Sequence, residues 1–123
     1  MHIDLQSRSF ELTDALDKYV RRRLGFSLAA WQDQIQRTII RLTDINGPRG
    51  GDDKCCRIHL IMDQLNDIVI EDTRADLYMA IDRASSRAAR TLSRRINRKR
   101  DKQRHRTTLN RNNLDSLYSE GFQ

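Results

Sequence analysis

Residues 54–103, KCCRIHLIMDQLNDIVIEDTRADLYMAIDRASSRAARTLSRRINRKRDKQ, change their hydrophobic period once, and that change decides the fold. Up to about Asp72 apolar and polar residues alternate, the two-residue period of half-buried strands. Lys54–Met62 places Cys56, Ile58, Leu60 and Met62 on one face and Arg57, His59 and Ile61 on the other. A turn over Asp63–Asn66 leads into a fourth strand, Asp67–Asp72, which returns through Ile68 and Ile70 with hairpin pairing to its predecessor expected. From Asp76 the spacing becomes helical. Leu77, Ile81, Ala84, Ala88 and Leu92 form a stripe, with Thr73 or Asp76 as the cap.

Upstream, Ile3 and Leu5 alternate with polar neighbours in a short first strand, His2–Gln6. Thr13 is placed to cap a helix carrying Asp14 in its first turn, where Leu16, Tyr19, Val20 and Leu24 share a face. Leu28 and Trp31 continue the spacing, so this helix is expected to reach about Ala29 in spite of Gly25. Ile35–Ile45 reads as the second strand, with Thr38, Ile40 and Leu42 opposite Arg37, Ile39 and Arg41. Asn46–Asp53 holds the only proline and three of the five glycines and is read as a mobile connection. The order is β-α-β-β-β-α, an α+β class. One-sided apolar patterns on every element favour a four-stranded sheet with two helices on one face and a wet opposite face.

A chain of 123 residues, 37% hydrophobic, supports one core. The expected organisation is a domain over residues 1–106 and a flexible polar tail over 107–123, where no period survives. No apolar run reaches signal-peptide length or the roughly 18 residues of a membrane span. The adjacent Cys55 and Cys56 point to opposite faces of a strand, so reduced thiols and a cytoplasmic location are expected, one thiol buried and one at the surface. As nucleophile and base, Cys55 and His59 would stand roughly 13 Å apart on a strand, beyond hydrogen-bond reach. Two cysteines and one nearby histidine make no convincing zinc site. No enzyme, metal, cofactor or small-molecule substrate is expected.

The net charge is +6, but residues 76–106 alone hold eleven Arg or Lys against three Asp, which leaves the remainder slightly acidic. Charge concentrated in one segment marks a polyanion partner. Arg83, Arg87, Arg90, Arg94 and Arg98 follow steps of four and three, within about 80° of one helical face. Like charges at this spacing each cost a few tenths of a kcal/mol, with only Asp82 and Asp101 in the helix to offset them. A bound polyanion reverses that cost. Arginine outnumbers lysine nine to two in this segment, and its planar fork suits phosphate.

If packing continued past Leu92, apolar residues would be expected near positions 95, 99 and 102, but these hold Arg95, Lys99 and Lys102. A helix over 76–103 spans about 42 Å against about 20–25 Å for the strands, so its last turns, with Arg100 among them, are expected to project beyond the sheet. Membrane docking would need an apolar face that the sheet already consumes. DNA reading would call for base-directed Asn or Gln and a dimer. Recognition of RNA by shape and phosphate suits the ladder better. Arg21, Arg22 and Arg23 are a secondary basic candidate, and Arg37, Arg41, Arg57 and His59 would make the open sheet face positive.

The element order together with DLYMAIDRASSRAARTLSRRINRKRDK (76–102) resembles the bacterial ribosome hibernation-promoting factors and ribosome-associated inhibitor A, over roughly residues 1–104. EDTRADLYMAID (71–82) is the most specific piece, and FELTDALDKYVRRRL (10–24) supports it. The resemblance implies a fold like double-stranded-RNA-binding domains and a non-enzymatic role in stress and stationary phase. It implies docking on small-subunit rRNA where the mRNA and tRNA sites meet, with steric inhibition of translation. The implied rRNA contacts fall on Arg83, Arg87, Arg90, Arg94, Arg98 and Lys99, and secondarily on Arg21–Arg23. Three features depart from the family: the longer Asn46–Asp53 connection, a turn at Asp63–Asn66 without glycine, and the lack of the long members' C-terminal dimerisation domain. The expectation is a short form, monomeric when free. An RNA-binding or transcription-regulator-modulating adaptor acting off the ribosome is the alternative.

Overall fold

The computed structural model describes residues 2–8, 11–45 and 53–119, and of residues 104–119 the backbone only. The connection expected to be mobile at Asn46–Asp53 lies outside the described residues except for Asp53, as does the end of the tail past Ser119. The chain divides into two compact units, the first ending at Leu92 and the second beginning at Ser93.

In the first unit β1 (His2–Arg8), α1 (Asp14–Ser27), a 3₁₀ segment (Ala29–Gln34), β2 (Ile35–Asp44), β3 (Lys54–Met62) and β4 (Ile68–Arg74) precede the start of α2 (Leu77–Ser119). The sheet runs β1-β2-β3-β4. β1 is parallel to β2, as a strand–helix–strand crossover requires, and the other neighbours are antiparallel. This is the expected α+β order, and the phasing agrees. Thr38, Ile40, Leu42, Cys56, Ile58, Leu60, Met62, Ile68 and Ile70 are buried, together with Leu16, Val20 and Leu24 of α1 and Ala80, Ile81, Ala84, Ala88 and Leu92 of α2. Arg37, Arg41 and Arg57 are exposed on the opposite sheet face.

Local chemistry explains the ends. Thr13 Oγ1 accepts from the Leu16 amide at 3.2 Å, and Asp14 and Asp17 occupy the first turn of α1, where carboxylates suit the helix dipole. Asp76 caps α2, its Oδ1 accepting from the Tyr78 amide at 3.2 Å and its carbonyl from Ala80 at 3.0 Å. Lys54 Nζ donates to Asp44 at 3.0 Å and Asp53 at 3.1 Å, tying the adjoining ends of β2 and β3 together and raising the lysine's pKa through those hydrogen bonds.

Four expectations are corrected. α1 ends at Ser27 instead of Ala29, because buried Leu28 leaves the helical region and the chain tightens into 3₁₀ turns, with Trp31 N–H donating to Leu28 O at 3.0 Å. Both thiols are buried, Cys55 as well as Cys56. Cys55 has outward phase, yet its Sγ–H donates to Glu71 Oε1 at 3.3 Å, and its register partner on β4 is Thr73. The buried stripe of α2 extends past Leu92: a step of three leads to Arg95, but a step of four leads to Ile96, which is buried. Finally, α2 does not stop near Gln103 but continues to Ser119. No glycine or proline occurs between residues 52 and 120, so nothing in the sequence breaks the helix there.

Candidate nucleic-acid interface

The positive residues of α2 follow from its amphipathic pattern. In the first unit Ala80, Ile81, Ala84, Ala88 and Leu92 are buried, while Leu77 is partly covered and Tyr78 and Met79 are exposed; Arg83, Arg87 and Arg90 lie exposed among them. In the second unit Arg94, Arg98, Arg100 and Lys102 are exposed, while Arg95 and Lys99 are partly covered and have interaction partners. The guanidiniums differ in how committed they are. Among the described residues Arg83, Arg90, Arg94 and Arg98 make no ion pair, and their forks are open to a ligand.

Arg87 is committed to the fold. Its Nη1 donates to the Glu71 carbonyl at 2.8 Å and reaches Asp72 Oδ2 at 3.3 Å, fixing α2 to β4. Asp72 is the inward-phased last carboxylate of β4, buried and also bound by Arg74 Nε at 2.7 Å. Burial alone would raise its pKa. The hydrogen bonds and charges of Arg74 and Arg87 outweigh that effect and hold it below the ordinary aspartate value.

The three arginines of α1 divide in the same way. Arg21 Nε donates to Asp17 at 2.9 Å and its Nη1 to the Ile3 carbonyl at 3.3 Å. Arg23 donates to Asp82 at 3.2 Å, Ser27 at 2.8 Å and Ser86 at 3.0 Å, joining α1 to α2. Arg22 is exposed and has no such partner among the described residues. Asp82 also accepts a short hydrogen bond from the Tyr19 hydroxyl, which, with burial, raises the tyrosine pKa. The Tyr19 ring meets Tyr78 edge-on at 4.8 Å. Asp82 is therefore engaged by α1 and does little to offset the α2 ladder. The alternation of the sequence does not show these tertiary ties, although one signal existed: a carboxylate at the inward position Asp72 demands a cationic partner.

Cys55 and His59 engage different carboxylates, His59 Nε2 lying 3.0 Å from Asp67 Oδ2. Desolvation pushes the Cys56 thiol up to about 12, and burial also raises Cys55. Among the described residues no group of His, Cys, Asp and Glu side chains is placed to hold a metal ion, and no helix is long and apolar enough to cross a membrane.

Residues 3–102 match the family described as Sigma 54 modulation protein / S30EA ribosomal protein. The chain belongs to this family. The resemblance to hibernation factors read from the sequence is borne out with it. Among solved structures, this S30EA-family chain is similar to the N-terminal domain of Protein Y from Thermus thermophilus, at 29% identity and a TM-score of 0.63, covering 76% of this chain and 98% of that one. A ribosomal subunit interface protein from Coxiella burnetii superposes with a TM-score of 0.66 at 17% identity, over 76% and 96% of the two chains, and supports the fold alone. No curated protein matches the chain.

Proposed function

We propose that this S30EA-family protein is a ribosome-associated hibernation factor that binds small-subunit rRNA through the arginines of α2. Docked in the channel shared by mRNA and tRNA, it blocks translation by occupying space. The observation that carries this reading is the set of exposed α2 arginines without an ion pair among the described residues: Arg83, Arg90, Arg94 and Arg98. Their mutual repulsion costs the free protein stability, and rows of phosphate remove that cost. Arg100, Lys102 and Arg22 are exposed and join the proposed contact set. Arg95 and Lys99 have partners already, and Arg21, Arg23 and Arg87 act first as ties within the fold.

The reading needs no bound cofactor, because the inhibition involves no bond making or breaking. Co-sedimentation with purified small subunits tests it. R83E/R90E/R94E, folded as judged by circular dichroism, is expected to lose association that the wild type retains, and undiminished association would refute the reading. If six to ten phosphates are engaged, wild-type affinity falls by about three to five orders of magnitude between 50 and 200 mM salt. The words sigma 54 modulation in the family description support a second reading, an adaptor acting away from ribosomes. Equal affinity for generic duplex RNA and for small subunits would favour it.

A further inference from the structure

The sheet face opposite α1 and α2 carries a second cationic feature that the α2 reading does not use. The register sets Arg41 of β2 directly opposite Arg57 of β3, and Ile39 opposite His59. These four side chains line an open depression of about 160 Å³. Like charges directly opposed across strands destabilise a sheet. Among the described residues, neighbouring carboxylates do not pair with these two arginines. Asp4 is bound by Arg37 at 2.7 Å and Asp67 lies 3.0 Å from His59. Glu71, the register partner of Arg57, accepts instead from Cys55 at 3.3 Å. Arg41 reaches only the neutral Gln6 Oε1, at 3.4 Å, and Arg57 makes no ion pair among the described residues.

We infer that this depression is a second RNA contact, in which Arg41 and Arg57 clamp one backbone phosphate from adjacent strands. Two guanidinium forks offer more donors than a phosphodiester's non-bridging oxygens require, and its single negative charge between them turns a repulsive pair into an attractive trio. The depression is large enough for a phosphate with ordered water, given that one water occupies about 30 Å³. Ile39 and the His59 ring give it an apolar margin against which a ribose can rest. The domain would then be gripped by RNA on both its faces, at Arg83 and Arg90 on the helical side and at Arg41 and Arg57 on the sheet side.

This inference rests on the RNA-binding reading of α2, and one set of variants separates the two. R41Q/R57Q is expected to bind small subunits about tenfold more weakly and to lower the slope of log affinity against log salt by about one, the signature of one lost phosphate contact. Its melting temperature should match or exceed that of the wild type, because a like-charge pair has been removed. R41K/R57K keeps charge without the planar fork and is expected to fall between the two. Unchanged affinity and slope in R41Q/R57Q, with binding lost in R83E/R90E/R94E, would overturn the sheet-face contact and leave the helix reading standing. Retained binding in R83E/R90E/R94E would instead sink the helix reading. Saturable chemical-shift changes at His59 on adding inorganic phosphate, combined with unaltered ribosome binding by R41Q/R57Q, would identify a free-anion site and also overturn the inference.

Discussion

Replacing Arg87 by glutamine separates the structural arginines from the proposed RNA-binding ones. The substitution removes a charge-assisted hydrogen bond of 2.8 Å to the Glu71 carbonyl and a 3.3 Å pairing with buried Asp72. A hydrogen bond to a charged group contributes about 1.5–3 kcal/mol when well shielded. The Arg87 side chain is 47% exposed, so solvent screening reduces this substantially. Asp72 keeps its 2.7 Å contact with Arg74 and does not become an orphaned charge. The net expectation is a loss of about 1–2 kcal/mol, equivalent to a melting temperature lower by roughly 5–10 °C for a domain of this size. R90Q, one helical turn away and without an ion pair among the described residues, should change stability by less than about 0.5 kcal/mol. Thermal melts followed by circular dichroism measure both. An R87Q melt within about 2 °C of wild type would refute the assignment of Arg87 to the fold.

Two further expectations concern titration and reactivity. Because the folded-state pKa of Asp72 lies below its unfolded value, its contribution to stability is present above the unfolded pKa, about 3.9, and is lost as pH falls through the folded value. D72N should therefore show a flatter stability profile than wild type in acid, as measured by urea unfolding at a series of pH values, and parallel profiles would contradict this. Cys55 and Cys56 are buried, and both thiols are shifted upward, Cys56 to about 12. A thiol reagent at pH 8 should leave the native protein unmodified and label two thiols after denaturation. Rapid native labelling would show that the β3 edge of the core opens.

Much of the fold was legible because each period is unambiguous. Cys56, Ile58, Leu60 and Met62 alternate cleanly, and the apolar spacing from Leu77 to Leu92 admits only a helix. The misplacements have local causes. Leu28 satisfies a helical spacing and is buried, but it is buried by a chain that has already begun to turn towards β2. Ile96 escapes the apolar pattern because a step of three from Leu92 meets an arginine before a step of four meets the isoleucine. The continuation to Ser119 carries no apolar period for pattern reading to find, and the absence of glycine and proline there was the available sign.

The candidate site was legible in composition but not in allocation. Spacing alone treats Arg83, Arg87, Arg90, Arg94 and Arg98 as equivalent. Tertiary packing removes Arg87 from that set by placing Asp72 and the Glu71 carbonyl within its reach. It likewise commits Arg23 to Asp82 and the serines Ser27 and Ser86, and leaves Arg22 open. The opposition of Arg41 and Arg57 needed the strand register, which an alternating pattern does not supply.

The most direct test of RNA contact by α2 uses a hydroxyl-radical source tethered to the helix. Asn97 is exposed beside Arg94 and Arg98, and both native cysteines are buried, so N97C offers one reactive thiol for an iron chelate. Bound to small subunits, this derivative is expected to cut rRNA only in the strands lining the mRNA and tRNA channel. Cleavage scattered over the subunit, or none above a control derivatised at the opposite end of α1, would contradict the account.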